Sequence, residues 1–204
     1  MHIVIEGQDA TGKDIQAEKL KNYLEQQGKT VVLYSESGTN STDPFVQSIA
    51  KLNYQTDQNI SHQTRSLLYL INRYHQWQNL AIPALKQGHT VITTRSWLST
   101  LIYEGYAGGT PLEIIEKIHH LYMPKSYFHP DKSVILTLDD TEREKRIAAQ
   151  ATRKAEIFKS ADQSIKQTIN KSYLKVAKDY QIPTLDAAGT PDEVFARLLA
   201  LFNL

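Results

Sequence analysis

The chain has 204 residues, which suits one domain with a sizeable buried core. Its 23 Lys and Arg residues nearly balance 22 Asp and Glu residues, which argues against a nucleic-acid or membrane surface bound through bulk charge. The absence of cysteine excludes disulfide bonds and thiolate metal sites, and no apolar run reaches about 18 residues, so we expect a cytoplasmic protein.

The first predicted elements surround a glycine-bounded turn. Residues 2–6 predict a buried strand, and Lys13 opens a helix predicted over 13–27. Between them, the spacing G-x-x-x-x-G-K is typical of a loop whose N–H groups hold phosphate oxygens at a helix N-terminus. Lys13 would then reach the β- and γ-phosphates of a nucleoside triphosphate. The predicted donor-nucleotide site comprises Gly7, Gln8, Asp9, Ala10, Thr11, Gly12, Lys13, Asp14 and Ile15.

Strand and helix patterns alternate through the rest of the chain. The further predicted strands are 30–34, 90–94, 133–138 and 182–185. The further predicted helices are 44–53, 60–87 with a bend at Pro83, 96–105, 111–122, a helix with a capping box of Thr141 and Glu144, 160–180, and a last helix from Thr190 to the end.

This alternation predicts an α/β fold of the P-loop NTPase type. We expect a three-layer α/β/α arrangement in which helices flank a five-stranded parallel sheet, within a single domain over residues 1–204. In such sheets ligands bind at the carboxyl ends of the strands. This rule places the loop 7–14, the loop 35–40 and Thr94-Arg95 around one crevice.

Five blocks, in the right order and covering essentially the whole chain, resemble the thymidylate kinase family. The run IEGQDATGKDIQ resembles the family's opening, and residues 35–39 resemble its Arg-Glu-Pro-Gly-Gly-Thr loop. Residues 68–73 resemble its Leu-Phe-Ala-Ala-Asp-Arg block, and residues 94–105 resemble the Asp-Arg block that runs on to Tyr-Gln-Gly. Residues 138–146 resemble the helix that leads into its mobile lid. The resemblance implies transfer of the ATP γ-phosphate to thymidine monophosphate, with Mg²⁺, by a homodimer.

Phosphoryl transfer between two nucleotides brings two polyanions together, so the site needs several cations. Arg95, at the carboxyl end of a strand, would hold the acceptor phosphate, because a planar fork suits phosphate geometry. Tyr69 and Arg73 lie four residues apart on one helix, so a ring and a donor for the base can line one pocket. A core Tyr69 with a solvated Arg73 is the alternative, as is an Arg95 that pairs with a surface acid.

The remaining acceptor-site roles come from the resemblance alone. It places Ser99 against the base edge, Tyr103 beneath the sugar and Asp9 at the 3′-hydroxyl. Packing roles for Ser99 and Tyr103, and a turn role for Asp9, stay open as alternatives. The predicted acceptor-site residues are Asp9, Glu36, Tyr69, Arg73, Arg95, Ser99, Tyr103 and Glu104.

The resemblance also implies a cationic lid over about 143–160. Family members with no arginine in the phosphate loop supply that charge from the lid, and this chain has Ala10 in the loop. The candidates are Arg143, Arg146 and Arg153, although a merely solvated basic helix is the alternative. The predicted catalytic residues are therefore Lys13, Arg95, Asp9, Arg143, Arg146 and Arg153.

Two positions depart from the family pattern. Asp14 stands where the family has Ser or Thr, and Thr94 stands where it has Asp. We predict a compensated metal site in which Asp14 binds Mg²⁺ and Thr94 supports its water shell. Loss of catalysis with retained binding is one alternative, and an acceptor other than thymidine monophosphate is another. In each case the expected partners are nucleotides, not nucleic acids or membranes.

Overall fold

The computed structural model describes residues 1–38, 40–54, 60–149 and 163–204. Within these ranges, five strands form one parallel sheet in the order β2-β3-β1-β4-β5. The strands are β1 (His2–Gly7), β2 (Val31–Ser35), β3 (Thr90–Thr94), β4 (Lys132–Thr137) and β5 (Thr184–Asp186). The predicted α/β fold with a five-stranded parallel sheet is confirmed.

Helices connect the strands and cover both faces of the sheet. They are α1 (Lys13–Gln26), α2 (Pro44–Tyr54), α3 (His62–Gln76), α4 (Ile82–Lys86), α5 (Trp97–Thr100), α6 (Leu112–Tyr122), α7 (Lys125–Phe128), α8 (Asp140–Ala148), α9 (Gln163–Asp179) and α10 (Pro191–Phe202). None of the helices in the described ranges combines the length and the apolar character that a bilayer crossing requires.

Three helix predictions need correction. The helix predicted over 60–87 is interrupted by a π-helical turn at Trp77–Ala81, because Pro83 lacks an N–H group and its ring crowds the carbonyl four residues earlier. The helix predicted over 96–105 likewise changes to a π-helical turn at Leu101–Tyr106. Helix α8 is capped by Asp139, whose side chain accepts from the next N–H groups, and not by the predicted box at Thr141.

The alternating side chains of the strands divide the core into two layers. Ile3 and Ile5 of β1 face α1 and α10, where Leu20 and Leu198 are fully buried. Val91 and Ile135 point to the other face, which α3, α6 and α9 cover. Because both faces of the sheet are buried, the central strands carry apolar residues on both sides, as is typical of a parallel sheet.

The register of the sheet brings three loops together. Ile5 and Ser35 both pair with Thr94, so β2 and β3 end level with Ile5, and β1 runs two residues further, to Gly7. Beyond that level, the Arg95 N–H donates to the Ile5 carbonyl at 3.1 Å, and the Glu36 N–H donates to the Thr94 carbonyl at 3.1 Å. The loops that follow these strands therefore share one crevice, as the position of ligands in parallel sheets predicts.

Candidate active site

The loop after β1 has the backbone that a phosphate cradle needs. Gly7 has φ 148°, and a Cβ there would lie 2.7 Å from the Leu136 carbonyl oxygen, so only glycine fits. Ala10 and Gly12 take left-handed conformations, with φ 65° and 84°. Gly12 caps α1 without a side-chain hydrogen bond, which leaves the first N–H groups of the helix open to an anion.

Lys13 lies over this loop and is only 5% exposed. Its Nζ donates to the Gln8 carbonyl at 3.3 Å and lies 3.7 Å from Asp9 Oδ1. Thr11 closes the loop by donating its hydroxyl to the same carbonyl at 2.8 Å. Asp14 and Ile15 follow on the exposed side of α1. The predicted donor-site residues thus form one continuous turn, and the Lys13 side chain lies over that turn.

Arg95 meets this loop from the end of β3. Its Nη2 donates to Asp9 Oδ1 at 2.5 Å, and its Nη1 donates to Ser99 Oγ at 3.1 Å and to the Tyr173 hydroxyl at 3.3 Å. The guanidinium also lies over the Tyr103 ring, 5.4 Å from its centroid. One carboxylate, Asp9, therefore contacts both the loop lysine and the strand-end arginine.

A cavity of about 270 Å³ opens beside Arg95. All eight predicted acceptor-site residues line it, although their roles stay predictions. Ser37 and Thr100 also line it, and both belong to blocks that resemble the family. Sequence reasoning did not single out the other lining residues, which are Asn53, Tyr54, His62, Arg65, Ala107, Ile165 and Ile169. Several of these come from α2, α3 and α9, and no local motif marks them.

Arg73 forms the inner wall of this cavity and is 2% exposed, so the alternative of a solvated Arg73 is wrong. Its Nε donates to Glu36 Oε2 at 2.5 Å, its Nη1 to His119 Nε2 at 2.8 Å, and its Nη2 to the Ser96 carbonyl at 2.9 Å. Burial raises the pKa of Glu36 to about 7, although Arg73 opposes that rise. The Tyr127 hydroxyl also donates to Glu36, at 2.8 Å. The network fixes Arg73 against this cavity.

His119 gives this network a pH dependence. It is fully buried, donates through Nδ1 to the Ile115 carbonyl, and burial lowers its pKa to about 3. The unfolded chain binds this proton below about pH 6.5 but the folded chain does not, so stability falls as the pH drops from 6.5 towards 3. At pH 5 we expect His119 to lower the free energy of unfolding by about 2 kcal/mol relative to pH 7.

Urea unfolding of the wild type and of His119→Gln at pH 7 and pH 5 measures this effect, because the glutamine amide does not titrate. We expect the variant to lose less stability than the wild type over this interval. His120→Gln, at the exposed neighbouring position, is the matched control and should follow the wild type. An equal loss in His119→Gln and the wild type would contradict the assignment of a neutral His119.

The predicted lid arginines on α8 are engaged with the protein. Arg143 is 1% exposed and donates to Asp140 at 3.0 Å, so the alternative of a merely solvated basic helix does not hold for it. Arg146 donates to Glu142 at 3.3 Å and to the carbonyls of Ala187 and Gly189 at 3.2 and 3.3 Å. Arg153 and the rest of the predicted lid from residue 150 onwards lie outside the described residues.

The parallel sheet, the glycine-bounded turn after β1 and the lysine that opens α1 define a P-loop nucleotide-binding protein. The cavity beside the turn is lined by three arginines, Arg65, Arg73 and Arg95, which suits an anionic second ligand. A kinase that acts on a nucleotide combines these two features.

Comparison with known proteins identifies the family. The sequence profile of the thymidylate kinase family matches residues 5–198. The chain is 28% identical over 197 residues to the thymidylate kinase of Caldicellulosiruptor saccharolyticus, which covers 96% of this chain and 92% of that protein. It is 30% identical over 178 residues to that of Chlamydia trachomatis, with 87% and 85% covered. A match of 35% identity to the Wolbachia pipientis thymidylate kinase spans 68% of this chain and 65% of that protein.

The fold is also that of a solved relative. The crystal structure of thymidylate kinase from Ehrlichia chaffeensis superposes with a TM-score of 0.77 at 21% identity, covering 100% of this chain and 98% of that one. This chain belongs to the thymidylate kinase family. The resemblance noted in the sequence is therefore confirmed.

Proposed function

We infer that this protein transfers the γ-phosphate of ATP to thymidine monophosphate, giving ADP and thymidine diphosphate. The observation that carries this proposal is the shared contact of Lys13 and Arg95 with Asp9, at 3.7 and 2.5 Å. A cation of the donor loop and a cation of the acceptor cavity lie on either side of one carboxylate. Two phosphate groups bound by them would meet at that point, as in-line transfer requires.

The donor half follows from the loop geometry. The open N–H groups at the start of α1 and the Lys13 ammonium would bind the triphosphate and stabilise charge on the transferred group. Lys13 now donates to the Gln8 carbonyl, a neutral acceptor that a phosphate oxygen can replace at the same ammonium. Lys13 is 5% exposed, so water screens the electric field of its ammonium only weakly.

The acceptor half follows from the cavity. Arg95 would bind the monophosphate through its planar fork, in competition with Asp9 for the same guanidinium. The released Asp9 carboxylate would then accept from the sugar 3′-hydroxyl, and the Tyr103 ring would lie under the sugar, where it disfavours a 2′-hydroxyl. Tyr69 would stack on the base, and Arg73 would face its carbonyl from the inner wall. Ser99, Glu36 and Glu104 complete the wall.

A screen of acceptors tests this proposal. ADP formation would be followed with ATP, Mg²⁺ and each of the monophosphates of thymidine, deoxyuridine, deoxycytidine, deoxyadenosine and deoxyguanosine. We expect thymidine monophosphate to give the highest kcat/KM. A preference for another monophosphate would assign the chain to a different acceptor, and ATP binding without turnover of any acceptor would make it a nucleotide-binding protein.

Mg²⁺ is the metal that a triphosphate brings to such a site, and the residues present fit it. In the described ranges, no group of three or more His, Cys, Asp or Glu side chains could hold a metal alone, so phosphate oxygens would supply most ligands. The Thr94 hydroxyl is buried and has no hydrogen-bond partner among the residues that the structure describes, and Asp14 is exposed in the first turn of α1. We propose that Asp14 binds the ion, Thr94 orients its water, and the ion shields the phosphates.

This assignment predicts that ATP binding depends steeply on Mg²⁺. Without the ion, the Asp14 carboxylate repels the triphosphate, so we expect the Kd for ATP to rise at least about ten-fold in a chelator, or about 1.4 kcal/mol. Calorimetric titration of the wild type and of Asp14→Ser measures this, and the variant should show a smaller rise. Equal affinity of the wild type for ATP with and without chelator would contradict the role of Asp14.

We also propose that α8 is the stem of a lid. Ile147 of α8 packs against Ala10 of the phosphate loop. A movement of α8 would therefore shift the loop that holds the bound phosphates. Arg143, Arg146 and Arg153 are the residues that would add positive charge there on closure and exclude water. The proposed lid spans about 143–160 within the single domain.

A homodimer is the proposed assembly in the cytoplasm. Leu67, Ile71 and Tyr74 repeat along one face of α3 and are 50, 44 and 41% exposed, and Leu121 and Tyr122 of α6 are 72 and 57% exposed. The ring centroids of Tyr74 and Tyr122 lie 6.5 Å apart, so the exposed side chains of α3 and α6 form one apolar surface. Sedimentation equilibrium should give twice the monomer mass, and a monomer at all concentrations would contradict the proposal.

A further inference from the structure

Glu6 is a buried carboxylate that the proposed mechanism does not use. It belongs to β1, directly before the phosphate loop, and is 1% exposed. Its Oε1 accepts from the Ser96 N–H at 2.6 Å and from the Ser96 hydroxyl at 2.8 Å. The Ser99 hydroxyl lies 3.2 and 2.9 Å from the two carboxylate oxygens, and the Gly7 N–H donates to Oε2 at 3.2 Å. These partners lie in two turns, the phosphate loop and the turn after β3.

The turn after β3 is strained at Arg95. This arginine has φ 71°, in the left-handed region that non-glycine residues rarely adopt. Such a conformation persists only where surrounding contacts hold it. Glu6 supplies those contacts on the C-terminal side, because it binds the N–H and hydroxyl of Ser96, the next residue. In this conformation the Arg95 guanidinium donates to Asp9.

Glu6 also orients a partner of the guanidinium. The Ser99 hydroxyl has one proton and donates it to Glu6 at 2.9 Å. Its lone pairs are then directed to accept from Arg95 Nη1, at 3.1 Å. The same Arg95 nitrogen donates to Tyr173, whose hydroxyl donates to the Gly7 carbonyl at 3.1 Å. Glu6 thus acts on Arg95 through its backbone turn and through Ser99.

We propose that Glu6 is a positioning residue, which holds the strained turn at Arg95 and orients the Ser99 hydroxyl so that the guanidinium faces the acceptor phosphate. This inference rests on the proposed role of Arg95 in acceptor binding. A direct catalytic contact does not fit, because Glu6 is enclosed by hydrogen-bond donors and is 1% exposed. A role in β1 packing alone predicts a loss of stability without a selective loss of acceptor affinity.

Glu6→Gln tests the proposal, since the amide keeps the volume but turns an NH₂ group towards the donors of Ser96 or Gly7. We expect the Kd for thymidine monophosphate, measured by calorimetry, to rise about ten-fold, because small misplacements of a positioned group are costly. The Kd for Mg²⁺-ATP should stay within about two-fold of the wild type. Glu6→Asp should also raise the Kd for thymidine monophosphate, because the shorter aspartate side chain cannot bring its carboxylate to the same partners. Glu18→Gln, on the exposed side of α1, is the matched control.

A double-mutant cycle separates positioning from packing. If Glu6 acts through Arg95, then Glu6→Gln should change acceptor affinity less than about two-fold in an Arg95→Ala background. A full effect in that background, or equal losses for acceptor and ATP, would overturn the inference. If the wild type binds no monophosphate, the proposed function fails. If Arg95→Ala weakens binding but Glu6→Gln and Glu6→Asp do not, only this inference fails.

Discussion

The Lys13→Ala variant is expected to lose about a thousand-fold in kcat with ATP and Mg²⁺, because one positioned donor in a phosphoryl-transfer or oxyanion site contributes 10²–10³ or more. Lys13 is the cation of the phosphate loop, is 5% exposed, and its ammonium contacts the neutral Gln8 carbonyl and the Asp9 carboxylate. The positive charge of Lys13 stabilises the transition state more than the ground state, because negative charge spreads over the transferred oxygens during the reaction.

A coupled assay for ADP under saturating acceptor measures this loss. Lys19→Ala is the matched control, because Lys19 lies on the same helix and pairs with Asp192 at the surface. The control should keep its kcat within about two-fold, since surface ion pairs contribute little. Thermal unfolding of both variants checks that Lys13→Ala is folded. A folded Lys13→Ala enzyme with wild-type turnover would show that the loop is not the donor site.

The second large effect is expected from Arg95→Ala, with a fall of about 10²–10³ in kcat/KM for thymidine monophosphate. Arg95 contacts Asp9, Ser99 and the Tyr103 ring, so its guanidinium is held in place before any ligand binds. Because it would bind the acceptor phosphate in both the ground state and the transition state, KM should rise as well as kcat fall. The KM for ATP should change far less.

Two further variants define the role of Arg95. Arg95→Lys keeps the charge but not the planar fork, so we expect it to recover only part of the lost kcat/KM. Arg197→Ala, which removes an exposed arginine on α10, controls for the change in net charge and should behave as the wild type. An Arg95→Ala enzyme whose KM rises for ATP and not for the monophosphate would reverse the assignment of the two sites.

Local patterns in the sequence carry enough information for the fold and for the outline of the site. The apolar strands and the glycine spacing before Lys13 are short-range signals, and each depends on backbone geometry that the residues themselves dictate. The four-residue spacing of Tyr69 and Arg73 also placed both on the cavity wall. Sheet topology then brought Arg95 to the same crevice, because parallel strands end together.

What the sequence did not predict depends on contacts between distant residues. Arg73 is held by Glu36 and His119, which lie 37 and 46 residues away, so its burial has no local signature. The role of Glu6 has no local signature either, because its partner Ser96 lies 90 residues away in the sequence. The helical pattern of residues 96–105 likewise did not predict the π-helical turn at Leu101–Tyr106.

A crystal structure of the protein with a non-hydrolysable ATP analogue, Mg²⁺ and thymidine monophosphate tests the central claim most directly. We expect the triphosphate inside the Gly7–Lys13 turn, with Lys13 on its terminal phosphates, and the monophosphate on Arg95 with Asp9 released from the guanidinium. A triphosphate bound elsewhere, or an Arg95 that keeps Asp9 while the monophosphate binds to other residues, would contradict the account.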